Sequence, residues 1–180
     1  MRRIQYFVAC SLDGFIATDN DDISWLFTDN DYGYKEFFDS IDTTLTGRKT
    51  FDIIRGFDEF PYSGKKNYVF SRQLMNVSDP EVEYISNDIV PFIRRLKEEA
   101  GKNIWLVGGA SLASVLENAS LIDDYIISIH PVLLGSGKPL FSESSGIRHL
   151  QLHECSNFPS GLVQLRYSRI QINSDQVNFE

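Results

Sequence analysis

The sequence is short of cysteine, of histidine and of long apolar runs, and each shortage removes a class of function. Two cysteines occur in 180 residues, Cys10 and Cys155, with no Cys-x-x-Cys spacing around either. Thiols so far apart predict two buried free cysteines in a reducing, cytoplasmic setting, not a disulfide scaffold. The three histidines, His130, His149 and His153, are not grouped with carboxylates at ligand spacing, so no metal site is expected. The longest apolar runs, such as Ile104–Val107 and Tyr125–Ile129, fall far below the roughly 20 residues of a membrane span. Behind Arg2 and Arg3 the apolar stretch breaks at Ser11-Leu12-Asp13-Gly14, which reads as a first strand and not a signal peptide. Without such a signal, Asn76-Val77-Ser78 and Asn118-Ala119-Ser120 match the glycosylation pattern by chance.

Positive charge is scarce too. Against 25 Asp and Glu stand 17 Lys and Arg, a formal net charge of −8. That balance excludes a nucleic-acid groove or an anionic membrane surface as the main partner. Any anionic ligand must be held by a local cluster of donors. Several familiar signatures are missing as well: Gly-x-Gly-x-x-Gly after the first strand, Walker A, His-Glu-x-x-His and Gly-x-Ser-x-Gly.

What remains is an ordinary globular composition, 42% apolar and 23% charged, with no repeat and no linker. The chain reads as one domain, 1–180. Apolar, strand-like runs at Ile4–Ser11, Asp42–Thr46, Asn67–Phe70, Val82–Ser86, Ile104–Val107 and Asp124–Val132 alternate with helical spacing at Tyr32–Ser40, Arg48–Ile54, Asp88–Ala100 and Gly109–Glu117. Gly101 stands where a helix C-terminus favours glycine. Two long alternating strands, His149–Ser156 and Leu162–Gln171, close the chain as a hairpin. This order predicts an α/β fold of three layers, αβα, with helices on both faces of a mostly parallel sheet and antiparallel strands at its end. Ligands of such sheets sit at the carboxyl ends of the strands.

Two strand-to-helix junctions share one design. Thr44-Leu45-Thr46-Gly47-Arg48-Lys49-Thr50 runs from a strand through glycine into a helix that opens with two cations and a hydroxyl. Leu106-Val107-Gly108-Gly109-Ala110-Ser111 does the same with paired glycines. Glycine permits a sharp turn and a close approach, and the first helical N–H groups are unpaired and partly positive. Each junction is therefore either an anion site or plain turn punctuation, and two in this order suit a pyrophosphate.

The order Ala9…Asp13-Gly14-Phe15-Ile16-Ala17, Thr46-Gly47-Arg48-Lys49-Thr50, Ser71-Arg72 and Val107-Gly108-Gly109 resembles the dihydrofolate reductase superfamily over nearly the whole chain. The run from Pro131 to Phe141, PVLLGSGKPLF, is more particularly similar to the reductase domain of the bifunctional riboflavin-biosynthesis deaminase–reductase. The resemblance implies NADPH as cofactor. Gly47, Arg48, Lys49 and Thr50 would cradle its phosphates, and Ser71 with Arg72 would hold the adenosine 2′-phosphate. Gly108, Gly109, Ala110, Ser111 and Leu112 would face the pyrophosphate and nicotinamide ribose. Ala9 and Ile16 would offer backbone groups to the carboxamide, with Val107 beside the ring. A homodimer is implied too, with the C-terminal hairpin as a plausible interface. Arg48, Lys49 and Arg72 concentrate positive charge in an acidic chain, which independently favours a phosphorylated nucleotide.

On the substrate side, hydride transfer to a C=N or C=O bond needs a proton donor, or water held by a carboxylate. The superfamily's carboxylate falls on Asp31, which is equally placed to cap the Tyr32–Ser40 helix. The superfamily's carboxylate-clamping arginine falls on Lys65, which cannot form a bidentate fork. Ser128 falls where the family supports its carboxylate with a hydroxyl. Trp25, Tyr34, Phe37 and Phe38 suit either stacking on a flat substrate or the core, and Asp13 with Gly14 suits a turn. The expected function is an NADPH-dependent reductase of a small heterocycle or carbonyl, pterin-like or ribosylaminopyrimidine-like. The alternatives are an NADP(H)-binding or sensing protein without turnover and, third, a flavin-dependent or structural protein.

Overall fold

A computed structural model describes residues 1–72, 79–142 and 146–170. Its central sheet follows from strands that are apolar on both faces. β1 (Ile4–Ser11) lies in the middle, parallel to β6 (Asn103–Gly108) on one side and β7 (Asp124–His130) on the other. Beyond β6 come β3 (Ile41–Gly47), β4 (Lys66–Phe70) and β5 (Glu83–Ile85), all parallel. Beyond β7 the closing hairpin of β9 (Leu150–Asn157) and β10 (Val163–Arg169) runs antiparallel, giving eight strands in the order β5-β4-β3-β6-β1-β7-β10-β9.

Side-chain alternation divides the core in two. Tyr6, Ile104, Leu106, Tyr125 and Ile127 point to one face, where they meet α3 (Ile89–Glu98) and α4 (Ala110–Asn118) through Ile93, Leu96, Leu112 and Leu116. Phe7, Trp105, Val107 and Ile126 point to the other, against Phe37 of α1 (Tyr34–Ser40) and Ile54 of α2 (Arg48–Ile54). The α/β, three-layer, mostly parallel architecture expected from the sequence is the one observed.

The differences are local and have local causes. α1 starts at Tyr34, not Tyr32, because Tyr32 (φ 51°) and Gly33 (φ 77°) are both left-handed. The turn buries the Tyr32 ring and lets its hydroxyl reach Asp29 (2.6 Å) and Ser160 (2.8 Å). α3 ends at Glu98, so Gly101 is no helix cap. A Cβ at Gly101 would instead strike the Asp42 carboxylate at 2.7 Å, beside buried Arg2. β7 stops at His130 before Pro131, and Val132 N–H bonds back to His130 O. A short strand absent from the sequence-based order, β2 (Phe15–Ala17), pairs with β8 (Lys138–Pro139) in a second sheet. Cys10 is buried, but Cys155 is exposed, a correction that follows from its place on the outermost strand. Gln171 and Asn76-Val77-Ser78 lie outside the described residues. Among the described residues no helix is long and apolar enough to cross a membrane.

Candidate active site

The two glycine junctions touch. β3 and β6 are parallel neighbours with Thr46 opposite Gly108, so both strands release their helices at the same edge. A Cβ at Gly109 would stand 3.3 Å from Gly47 Cα and 3.4 Å from Thr50 Oγ1, closer than ordinary contact. Gly108 (φ 147°) and Gly109 (φ 92°) take backbone shapes that other residues resist. Nothing lies within 4 Å of where a Gly108 side chain would be, so this stretch of backbone stands open to a ligand. The first N–H groups of α4 receive no bond from a capping side chain at Gly109.

The neighbouring residues fall in line along one edge. Arg48 pairs with Asp52 one turn on (2.7 Å), Lys49 is exposed and Thr50 half-buried. Ser71 and Arg72 follow the end of β4, with Ser71 N–H bonded to Ile85 O and Arg72 exposed. Ala110 is half-buried, Ser111 exposed and Leu112 buried in the core. Val107 is half-buried on the face of α1 and α2.

Above this edge the segments around β2 and β8 are laced together. The Asp13 carboxylate accepts the Ser11 hydroxyl (2.6 Å) and the N–H groups of Gly135 (2.8 Å) and Leu134 (3.2 Å). Those bonds, Ser11 first, hold its pKa below the usual carboxylate value. Asp19 accepts from Ser136 and Asp21 pairs with Lys138. A Cβ at Gly137 would overlap Ala17 O, so only glycine lets β2 and β8 meet there. Ile16 is held in this sheet, packed on the core. Asp13 with Gly14 thus serves a turn that ties two segments.

A cavity of about 530 Å³ opens on the other face of β1, and Ala9 borders it. Phe7, Tyr34 and Trp105 form one wall, Leu26 and Phe27 the opposite one, Ser128 the floor, and Asp31 lines it as an exposed group. Trp105 is fixed by its indole N–H to Phe7 O (3.0 Å). Ser128 Oγ accepts from Gln164 Nε2 (3.0 Å), which also donates to Tyr32 O (3.1 Å). Gln164 pairs with Ser128 across β7 and β10, so the hairpin holds this floor in place. His130 Nε2 accepts Phe27 N–H (3.2 Å), and its Nδ1 lies 3.3 Å from Ser128 O. Burial pushes its pKa down, so the ring is neutral with the proton on Nδ1, and both nitrogens are occupied.

Of the residues expected at the substrate, Asp31, Tyr34 and Ser128 line the cavity. The Asp31 carboxylate also accepts Lys35 N–H at 3.1 and 3.3 Å, so it holds the first turn of α1 while lining the cavity. Trp25, Phe37 and Phe38 stand behind the lining. Trp25 packs edge-on against His130 (5.3 Å) with its indole N–H buried and unpaired. Phe37 is buried against Phe7 (4.5 Å) and Trp105 (5.3 Å). Phe38 stacks with Tyr34 (5.6 Å) and carries the Lys65 ammonium 4.2 Å over its ring. Lys65 donates to Phe38 O (2.8 Å) and Ile41 O (2.9 Å), a cation at the carboxyl end of α1. Sequence reasoning did not single out Phe7, Phe27, Trp105, His130 or Gln164. Phe7 and Trp105 lie in strands apolar on both faces, so alternation alone does not assign them to the cavity side. Among the described residues no group of three or more His, Cys, Asp or Glu stands together as a metal would need.

Known proteins resemble this chain in sequence and fold. YyaP of Bacillus subtilis (strain 168), an uncharacterized protein, is 40% identical over 178 residues, covering 92% of this chain and 94% of its own. A solved protein from Shewanella sp. PV-4, whose name places it in riboflavin biosynthesis, superposes with a TM-score of 0.84 at 27% identity over 95% of this chain and all of that one. Dihydrofolate reductase from Enterococcus faecalis, complexed with NADP(H) and RAB-propyl, shares the fold at 15% identity and a TM-score of 0.69, over 94% of this chain and 97% of that one. The family profile of the RibD C-terminal domain matches residues 2–164, and the chain belongs to that family.

Proposed function

We propose that the protein is an NADPH-dependent reductase of a small planar heterocycle or carbonyl compound, pterin-like or ribosylaminopyrimidine-like. One observation carries the reading: β3 and β6 end in a glycine-built backbone cradle, and β6 with β1 also lines an aromatic cavity that Ala9 borders. Paired glycines that open a helix, with no atom within 4 Å of a Gly108 Cβ, favour a pyrophosphate as the ligand, and family membership supports a reductase. When bound, NADPH supplies a hydride to the carbon of a C=N or C=O bond and leaves as NADP⁺.

The chain's own residues hold and orient the partners. Gly47, Arg48, Lys49 and Thr50 meet the phosphates from the start of α2, and Gly108 to Leu112 from the start of α4. Ser71 and Arg72 meet the 2′-phosphate, which sets NADPH above NADH. Ala9 and Ile16 present backbone groups to the carboxamide, with Val107 beside the ring. Ser128 orients the substrate from below, while Trp25, Phe37 and Phe38 back the lining rings. His130 has no nitrogen to offer, so the proton for the substrate nitrogen or oxygen comes from water held by Asp31.

Titration with NADPH, followed by cofactor fluorescence, tests the reading. Binding below millimolar concentration is expected, and Gly109→Asp should abolish it; absence of binding in the unaltered protein sinks the proposal. The engagement of Asp31 as a helix cap favours a second reading, a nucleotide-binding or sensing protein without turnover. NADPH consumption with a pterin or ribosylaminopyrimidine, lost in Asp31→Asn, rejects it. The hairpin's exposed outer strand β9 supports a homodimer, and a monomer mass in light scattering would refute that.

A further inference from the structure

The charges around the aromatic cavity select among substrates. Among the described residues that line it, Asp31 is the one charged side chain, because His130 is neutral. Two cations outside the lining, Lys65 and Arg166, have other partners. Lys65 donates to the carbonyls of Phe38 and Ile41 at the far end of α1, and Arg166 lies 3.7 Å from the Glu154 carboxylate. Five aromatic residues, Phe7, Phe27, Tyr32, Tyr34 and Trp105, are among those that line it.

We infer, resting on the reductase reading, that this cavity takes a neutral or cationic flat heterocycle carrying no phosphate, with Asp31 excluding anions. A flat ring gains from burial between aromatic faces, whose negative π-clouds also favour a cation over an anion. Asp31 accepts only two long contacts from a single N–H, so its oxygens retain capacity for a donor on the ligand. A phosphate ester needs a cation or a row of N–H groups, and here it would meet a carboxylate instead. The phosphate-binding features of the chain lie at the glycine edge, with the cofactor, and not in this cavity.

A matched pair of ligands tests the inference. Protein with and without NADP⁺ is titrated with 5-amino-6-ribosylaminouracil and with its 5′-phosphate, and tryptophan fluorescence, to which Trp105 in the wall contributes, reports binding. The unphosphorylated compound should bind tighter by on the order of tenfold. Asp31→Asn, which keeps a side-chain acceptor for the first turn of α1, should narrow that preference toward parity. Equal or tighter binding of the phosphate, or an unchanged preference in Asp31→Asn, overturns the inference. So does failure of both compounds to bind while NADP⁺ binds normally. Failure of NADP⁺ alone counts against the reductase reading, since the preference is still read on the cofactor-free protein.

Discussion

The glycine edge and the aromatic cavity share strand β6, yet they are made of opposite materials. The edge is main chain: Gly47, Gly108 and Gly109 abut where two parallel strands turn into helices, and what it offers is backbone N–H donors fixed by the fold. The cavity is side chain: rings from β1, β6, α1 and the segment before α1 meet over a serine of β7. A main-chain site tolerates no added atom but reads only the common part of a ligand. A side-chain site can be re-shaped at any one wall, which is where relatives of one fold come to differ in substrate.

Two substitutions break the comparison from either side. Trp105→Ala should have the larger effect, a stability loss of about 3–5 kcal/mol, because it empties a 7%-exposed position touching Phe37 and Tyr62. Thermal or urea unfolding measures it. The folded fraction should still bind NADPH while binding of a heterocycle is lost. Gly109→Ala is the mirror case. Its Cβ would press on Gly47 Cα at 3.3 Å from a backbone at φ 92°, a strain of about 1–3 kcal/mol. NADPH affinity should fall by about a hundredfold, roughly 2.7 kcal/mol, while heterocycle binding to the cofactor-free protein persists. Loss of both ligands in both variants would show that the two regions act as one site.

The same contrast explains what could be read in the sequence. The parallel strands, their helices and the two junctions were legible because each is local: apolar runs, helical spacing and glycines at a strand end. The α1 start was read two residues early because burial of Tyr32, bonded to Ser160 far along the chain, decides it. β2 and β8 are too short to announce themselves, and their pairing depends on Gly137 meeting Ala17 across more than a hundred residues. In the cavity, Phe7 and Trp105 lie in strands apolar on both sides, which hides which face each residue takes. Gln164 has no local signal at all, since its role exists only once β10 pairs with β7.

His130 gives a smaller effect that sharpens the description of the cavity. Burial lowers its folded pKa below the ordinary value of about 6.5, so the unfolded chain binds the extra proton more readily. The stabilisation is therefore present above about pH 6.5 and is lost as pH falls from there toward the folded pKa. Melting temperature should decline across that window, and the decline should flatten in His130→Gln. An unchanged slope would mean that the imidazole is not held neutral between Phe27 and Ser128.

Asp13 provides the smallest effect and the most local one. Its carboxylate is exposed, yet it gathers the Ser11 hydroxyl and two N–H groups from the turn before β8. Its folded pKa lies below the ordinary carboxylate value, so the contribution is present above that value and lost as pH falls through the folded pKa. Asp13→Ala should barely move the melting temperature, because the residue is solvent-exposed. Amide hydrogen exchange should instead quicken at Leu134 and Gly135, the two groups that lose an acceptor. If the lacing of β2 to β8 serves only the glycine edge, NADPH binding weakens in this variant and heterocycle binding to the cofactor-free protein does not. Weakening of both would place Asp13 between the two regions, as a tie that keeps the cradle and the cavity in register.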